Sequence, residues 1–213
     1  MTLAVEARDL GFGYVAGAPV LQEWSAGFPA GTVTAITGPS GRGKSTLLYL
    51  LGLMLLPRSG EIFLDGMGTS RLKDGAKAKL RAERFGFVFQ DAALDATRSV
   101  LDNVVETALY RHVPIRDAAV RAMELLDRFE VGVPAERRPG QVSGGQAQRI
   151  ALCRALVNDP DILLADEPTG NLDPETAQVV VDALISQARR GATVIVVTHS
   201  PQIAAVCDRE IRL

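Results

Sequence analysis

One segment constrains this chain more than any other: a glycine-rich turn set between two apolar stretches. Gly38-Pro39-Ser40-Gly41-Arg42-Gly43-Lys44-Ser45, followed by Thr46, matches the pattern G-x-x-x-x-G-K-[ST]. The run Thr32 to Thr37 before it is apolar and rich in β-branched residues, which predicts a buried strand. The stretch Lys44 to Leu56 after it predicts an apolar helix. In a strand–turn–helix of this kind, glycines let successive N–H groups converge on an anion. The helix start adds partial positive charge. Lys44 then supplies a full charge near β- and γ-phosphates, and the Ser45 hydroxyl is short enough to ligate Mg²⁺.

The rest of the chain predicts where such a turn belongs. Glu61 to Gly66 reads as a short strand ending in an Asp-Gly turn, and Phe85 to Gln90 as another apolar strand. Ser99 and Asp102 match a capping box. Residues 91–157 read as mostly helical, with breaks near Pro114 and Pro134–Pro139, and are taken as a helical lobe. Strand character returns at Asp161–Asp166. A helix follows with Asp173 as its cap, Pro174 in its first turn and Gly191 just beyond its end. A last buried strand is expected at Ala192–Thr198. Alternating strands and helices imply a parallel sheet covered on both faces, whose ligands bind beyond the carboxyl ends of the strands.

Two acids stand at such an end. Ile162-Leu163-Leu164-Ala165 delivers Asp166 and Glu167, with Pro168 directing the chain after them. Asp166 is placed to hold a magnesium ion, and Glu167 to act as general base on water. His199 ends the Thr193–Thr198 strand and is read as contacting the γ-phosphate or ordering the attacking water.

Bulk properties exclude other classes. The 213 residues are 47% hydrophobic and 23% charged, with 23 basic and 25 acidic side chains for a formal charge of −2. That balance argues against a nucleic-acid binder held by a broad basic surface. Cys153 and Cys207 are too few for a disulfide framework or zinc cluster and read as reduced thiols. Leu47–Leu56 stops at Pro57, well short of the ~20 residues of a membrane span. The start Met-Thr-Leu-Ala-Val-Glu lacks the pattern of a secretory signal, so any membrane role is expected to need a partner.

The loop alone gives only a nucleotide site, because many folds carry it. Val142-Ser143-Gly144-Gly145-Gln146-Ala147-Gln148-Arg149 narrows the choice. Ser143 and Gln146 form a capping box in its S-x-x-Q form. The two glycines between them leave the helix start bare, a second anion site. Two such sites for one γ-phosphate suggest a two-fold dimer in which this end closes on the partner's nucleotide.

With that segment the chain resembles the nucleotide-binding subunits of ABC transporters over essentially its whole length. The Leu-Ser-Gly-Gly-Gln signature is met with Val142 in place of leucine. The resemblance implies a P-loop NTPase core of the ABC type, α/β, with a mostly parallel sheet, an antiparallel β portion and an inserted helical lobe. The core is expected at about 1–90 and 158–213, and the lobe at about 91–157. ATP and Mg²⁺ are the implied ligands, with Gly38 through Thr46 on the phosphates and Ser45, Gln90 and Asp166 on the metal. Tyr14 resembles the aromatic residue that stacks on adenine. Gln90 resembles the Q-loop glutamine that senses the transmembrane partner. Asn171-Leu172-Asp173 resembles the D-loop, with Asp173 near the nucleotide. His199 resembles the switch histidine, acting beside Lys44 and Glu167. Ser143, Gly144, Gly145 and Gln146 are implied to grip the second chain's nucleotide.

Gly86-Phe87-Val88-Phe89-Gln90 and Ala165 to Asp173 are similar to the group serving lipoprotein release, macrolide export and bacterial cell division. Residues 91–97 match that pattern less closely. The resemblance implies an ATPase working as a homodimer, or paired with a homologous subunit, on a separate integral-membrane permease at the cytoplasmic face. It implies no further C-terminal regulatory domain and no nucleic-acid partner. A cell-division ATPase that transmits force without transport shares every motif. A soluble ABC ATPase of DNA repair or translation is disfavoured by the single cassette and the ordinary lobe.

Overall fold

The computed structural model describes residues 2–15, 17–170 and 172–213. The chain begins with β1 (Leu3–Phe12), β2 (Leu21–Pro29), β3 (Val33–Thr37), α1 (Lys44–Leu51), β4 (Ser59–Leu64), β5 (Met67–Gly68), α2 (Asp74–Arg84) and β6 (Phe85–Val88). It continues with α3 (Val100–Leu109), α4 (Ile115–Arg128), α5 (Gly144–Leu156), β7 (Ile162–Asp166), α6 (Pro174–Arg189), β8 (Thr193–Val197), α7 (Pro201–Val206) and β9 (Arg209–Arg212).

The apolar runs form a five-stranded sheet in the order β6-β7-β8-β3-β9, with every pair parallel. All five residues of β7 and of β8 are buried, as a centre covered on both faces demands. Their side chains alternate between two cores. Leu163, Ala165, Val194 and Val196 face the core shared with α3, α4, α5 and α6. Ile162, Leu164, Ile195 and Val197 face α1 and a second sheet. That sheet is antiparallel, in the order β2-β1-β4-β5, and contributes Val5, Ala7, Leu10 and Phe28 to the second core. The Asp-Gly turn joins β4 to β5 with Asp65 and Gly66 both left-handed, φ 47° and 80°, the type I′ geometry that suits a two-residue hairpin.

Three helices pack together between β6 and β7: α3 on α4, and α5 on both. The expected cap at Ser99 is present, with its hydroxyl accepting the Asp102 N–H at 3.0 Å. The helix after the glycine-rich turn is shorter than the sequence predicts, ending at Leu51 rather than Leu56. Met54 N–H donates to Tyr49 O and Leu53 N–H to Leu50 O, both at 2.9 Å, which is a Schellman closure. Its left-handed position, φ 58°, is taken by Leu53 instead of glycine. Burial of the Leu53 side chain offsets the cost of that backbone, and Gly52 just before it, at the helix C-cap, is the stop signal that the sequence carries ahead of Pro57. No helix among the described residues is long and apolar enough to cross a membrane.

Candidate active site

Because the five strands run parallel, the carboxyl ends of β6, β7, β8 and β3 meet at one edge. Gln90, the Asp166-Glu167 pair, His199 and the Gly38 loop follow them in that order. α1 leaves the loop and passes under β7 and β8, which brings its first turn to Asp166.

The loop itself turns on three glycines. Gly43 takes φ 86°, and no side chain caps the helix it starts, so the first-turn N–H groups are orphan donors. Gly38 and Gly41 are also left-handed, φ 142° and 77°, while Pro39, Ser40 and Arg42 are exposed. Lys44 is buried along its stem. Its Nζ donates to the carbonyls of Gly38 and Pro39, both at 2.9 Å, and so lies across the loop. Tyr14 is 62% exposed; its hydroxyl and that of Thr46 are 3.0 Å apart, and its ring sits edge-on to Phe12. An exposed aromatic face therefore stands beside the loop's helix.

Asp166 is 3% exposed. The Ser45 hydroxyl donates to its Oδ1 at 3.1 Å, and Tyr49 reaches Oδ2 at a long 3.5 Å. Burial raises the Asp166 pKa and the charge of Glu167 adds to the rise, against the hydrogen bonds from Ser45 and Tyr49 and the charge of Lys44. Tyr49 is itself raised, first by burial and then by Asp166. In sequence Tyr49 is only one residue of an apolar run. Its place four residues after Ser45, on the same helix face, was the available signal.

Glu167 takes a left-handed backbone, φ 44°, a conformation that costs a non-glycine residue on the order of 1 kcal/mol or more. Its N–H donates to Val197 O at 2.9 Å, one ladder step beyond β7. That step sets the carboxylate against His199: Nδ1 lies 2.8 Å from Oε1, and the His199 N–H donates to Oε2 at 3.3 Å. The Glu167 side chain is 12% exposed and the His199 side chain 67%. A cavity of about 140 Å³ beside them is lined by Gln90, Ala92, Gly144, Gln148, Glu167 and Leu172, among others.

At α5, Ser143 Oγ accepts the Gln146 N–H at 3.2 Å and Gln146 Oε1 accepts the Ser143 N–H at 2.9 Å. Both partners of the expected capping box are in place. Gly145 faces Thr176 and Asp173. Asp173 caps α6, accepting from Thr176 N–H at 2.9 Å and Glu175 N–H at 3.1 Å, and these bonds hold its carboxyl below the usual range. Asn171 lies outside the described residues. Within one chain, then, Gly144 shares a cavity with Gln90 and Glu167, while Ser143 and Asp173 make no hydrogen bond to residues 38–46 among the described residues.

Comparison with known proteins places the chain. The family model "ABC transporter" matches residues 21–170. The chain is 47% identical to the lipoprotein-releasing system ATP-binding protein LolD of Paramagnetospirillum magneticum, over 86% of this chain and 82% of that one. It is 41% identical to LolD of Bordetella pertussis, over 99% and 93%. It is also 41% identical to the macrolide export ATP-binding/permease protein MacB 1/2 of Paracoccus denitrificans, over 98% of this chain but 32% of that longer one. Among solved structures, the dimeric ATP-binding cassette MJ0796 in a post-hydrolysis state, bound to ADP and Pi, superposes with a TM-score of 0.92 at 34% identity. That match covers 98% of this chain and 94% of that chain.

Proposed function

The chain belongs to the ABC transporter family, and from that premise we propose how its residues carry out the work of an ATP-hydrolysing subunit that powers a separate membrane permease. The observation that carries the reading is the row of strand ends that sets Lys44, Asp166, Glu167 and His199 along one edge. Tyr14 offers its exposed face to the adenine. The loop from Gly38 to Thr46 surrounds the phosphates with N–H groups, and Lys44 moves its ammonium from the Gly38 and Pro39 carbonyls to the phosphate oxygens, a stronger charge-assisted partner.

The buried Asp166 carboxylate and the Ser45 hydroxyl, joined at 3.1 Å, are the hard oxygen donors that Mg²⁺ selects, and Gln90 is a third. When bound, the ion neutralises charge on the phosphates. The residues of the chain do the rest. Glu167 accepts the proton of the attacking water. The imidazole held at its Nδ1 by Glu167 turns Nε2 outward, where it steadies the γ-phosphate.

Ser143, Gly144, Gly145 and Gln146 serve the second chain, so each γ-phosphate is shared across a two-fold interface. Asp173 and the residues before it cross that interface. Hydrolysis removes the shared group and the pair opens. A homodimer or a paired homologous subunit satisfies this geometry. Residues 91–157 then move as a lobe against a core of 1–90 and 158–213 within one ABC ATPase domain. The permease docks in the groove of about 870 Å³ between α2, β6 and α3, floored by Phe85, Phe87 and Phe89. That docking holds the protein at the cytoplasmic face of the membrane. The similarity to LolD and MacB favours export or lipoprotein release over force transmission in cell division.

The test is Glu167→Gln. Phosphate release should fall about a thousandfold, while ATP binding survives and an ATP-dependent dimer accumulates in gel filtration. A variant that stays monomeric with ATP would remove the shared-phosphate reading.

A further inference from the structure

The chain turns sharply after β6. The Ala92 N–H donates to the Phe89 carbonyl at 3.1 Å, which closes a four-residue turn with Gln90 and Asp91 at its centre. Ala92 and Ala93 then both adopt left-handed backbone, φ 60° and 46°, a region that alanine rarely enters. Such backbone persists only where its surroundings impose it.

Two side chains of α5 impose it. Arg154, 8% exposed, donates Nη2 to the Ala92 carbonyl and Nη1 to the Ala93 carbonyl, each at 2.7 Å. The planar fork of a guanidinium suits two adjacent acceptors in a way that an ammonium does not. Glu106, the acid nearest to hand, pairs with Arg98 instead. Six residues earlier on the same helix, Gln148, 5% exposed, donates Nε2 to the Phe89 carbonyl at 3.2 Å. Gln90 is thus bracketed on both sides by one rigid helix. Arg154 also lines the large groove, beside Phe89, Glu106 and Thr107.

We propose that Arg154, assisted by Gln148, is a positioning residue for hydrolysis: it holds the Phe89–Ala93 turn so that Gln90 faces the Glu167 cavity, and it links occupancy of the groove to that placement. The inference rests on the reading of Gln90 and of the groove given above. Arg154 touches neither nucleotide nor water in this scheme; it acts only through the turn.

The test is a double-mutant cycle on ATP hydrolysis by the complex of this chain with the membrane subunit that co-purifies with it. Arg154→Lys keeps the charge and loses the fork. Its kcat should fall about tenfold, as misplacement of a distant group does, with the KM for ATP within about twofold. Combined with Gln90→Ala, it should add no further loss, since both act on one element. Losses that multiply, or a loss carried wholly by KM, overturn the proposal. If Arg154→Lys fails to fold, Gln148→Leu loosens the other end of the turn and is put through the same cycle with the same two outcomes. A wild-type complex that hydrolyses no ATP would instead refute the functional reading itself.

Discussion

The two glycine-rich helix starts of this chain are built in opposite ways. At α1, Gly43 is left-handed and no side chain caps the helix; its first N–H groups are left without a side-chain partner, and Lys44 adds a charge. At α5, Ser143 and Gln146 satisfy each other's N–H groups, and no charged residue lies between Ser143 and Gln146. An uncapped start is completed by its ligand. A start that caps itself keeps its shape without one and can be presented at a surface. The first suits capture of a nucleotide by one chain, and the second suits closure on a nucleotide that another chain already holds.

The contrast can be broken experimentally, beginning where the effect is largest. Lys44→Ala should weaken ATP binding by about a hundredfold, the loss of one strong charged hydrogen bond, in titrations of dilute, monomeric protein. Equal affinity in the variant would remove α1 from the phosphate site. Ser143→Ala should leave that monomer affinity within about twofold. In a Glu167→Gln background it should weaken ATP-dependent association about tenfold by sedimentation velocity, through lost contact and a lost cap. A monomer defect as large as that of Lys44→Ala would erase the distinction between the two starts.

The smallest effect concerns the charge balance at the α1 pole. Burial raises the Asp166 pKa, so the folded chain holds that proton more tightly than the unfolded chain. Stability from this group is therefore full below the ordinary carboxylate value and declines as pH rises through the raised folded value. Asp166→Asn keeps an acceptor for Ser45 and removes the ionisation. Without nucleotide its Tm should exceed that of wild type by about 2 °C at pH 7.5, and the gap should close by pH 4 in calorimetric scans. A lower Tm at pH 7.5 would mean that the bond from Ser45 to the ionised carboxylate outweighs its burial.

Much of the candidate site was legible because its residues sit on short motifs at the ends of strongly apolar strands. Lys44, Ser45, Asp166 and the Ser143–Gln146 box could be placed from local pattern alone. β1 could not. Its register against β2 and β4 shifts near Asp9, whose φ is 50°, and a bulge of this kind breaks the period-2 alternation that marks a strand. The apolar run to Leu56 predicts a longer α1 than the Gly52 C-cap and the left-handed Leu53 allow. Arg154 and Gln148 carry no such signal, because their partners are backbone carbonyls about sixty residues away, which have no residue identity to read.

The sequence by itself determined the glycine-rich loop before α1, the acids at the end of β7, the capped start of α5 and the alternation of strands with helices. Each depends on neighbours within a few positions, where spacing and side-chain type suffice. Tertiary structure alone decided that Glu167 meets His199, that α1 delivers Ser45 to Asp166, and that one helix holds the turn at Gln90. Those contacts follow from strand order and from how helices cross the sheet, and burial of two apolar cores settles both only when the whole chain has folded.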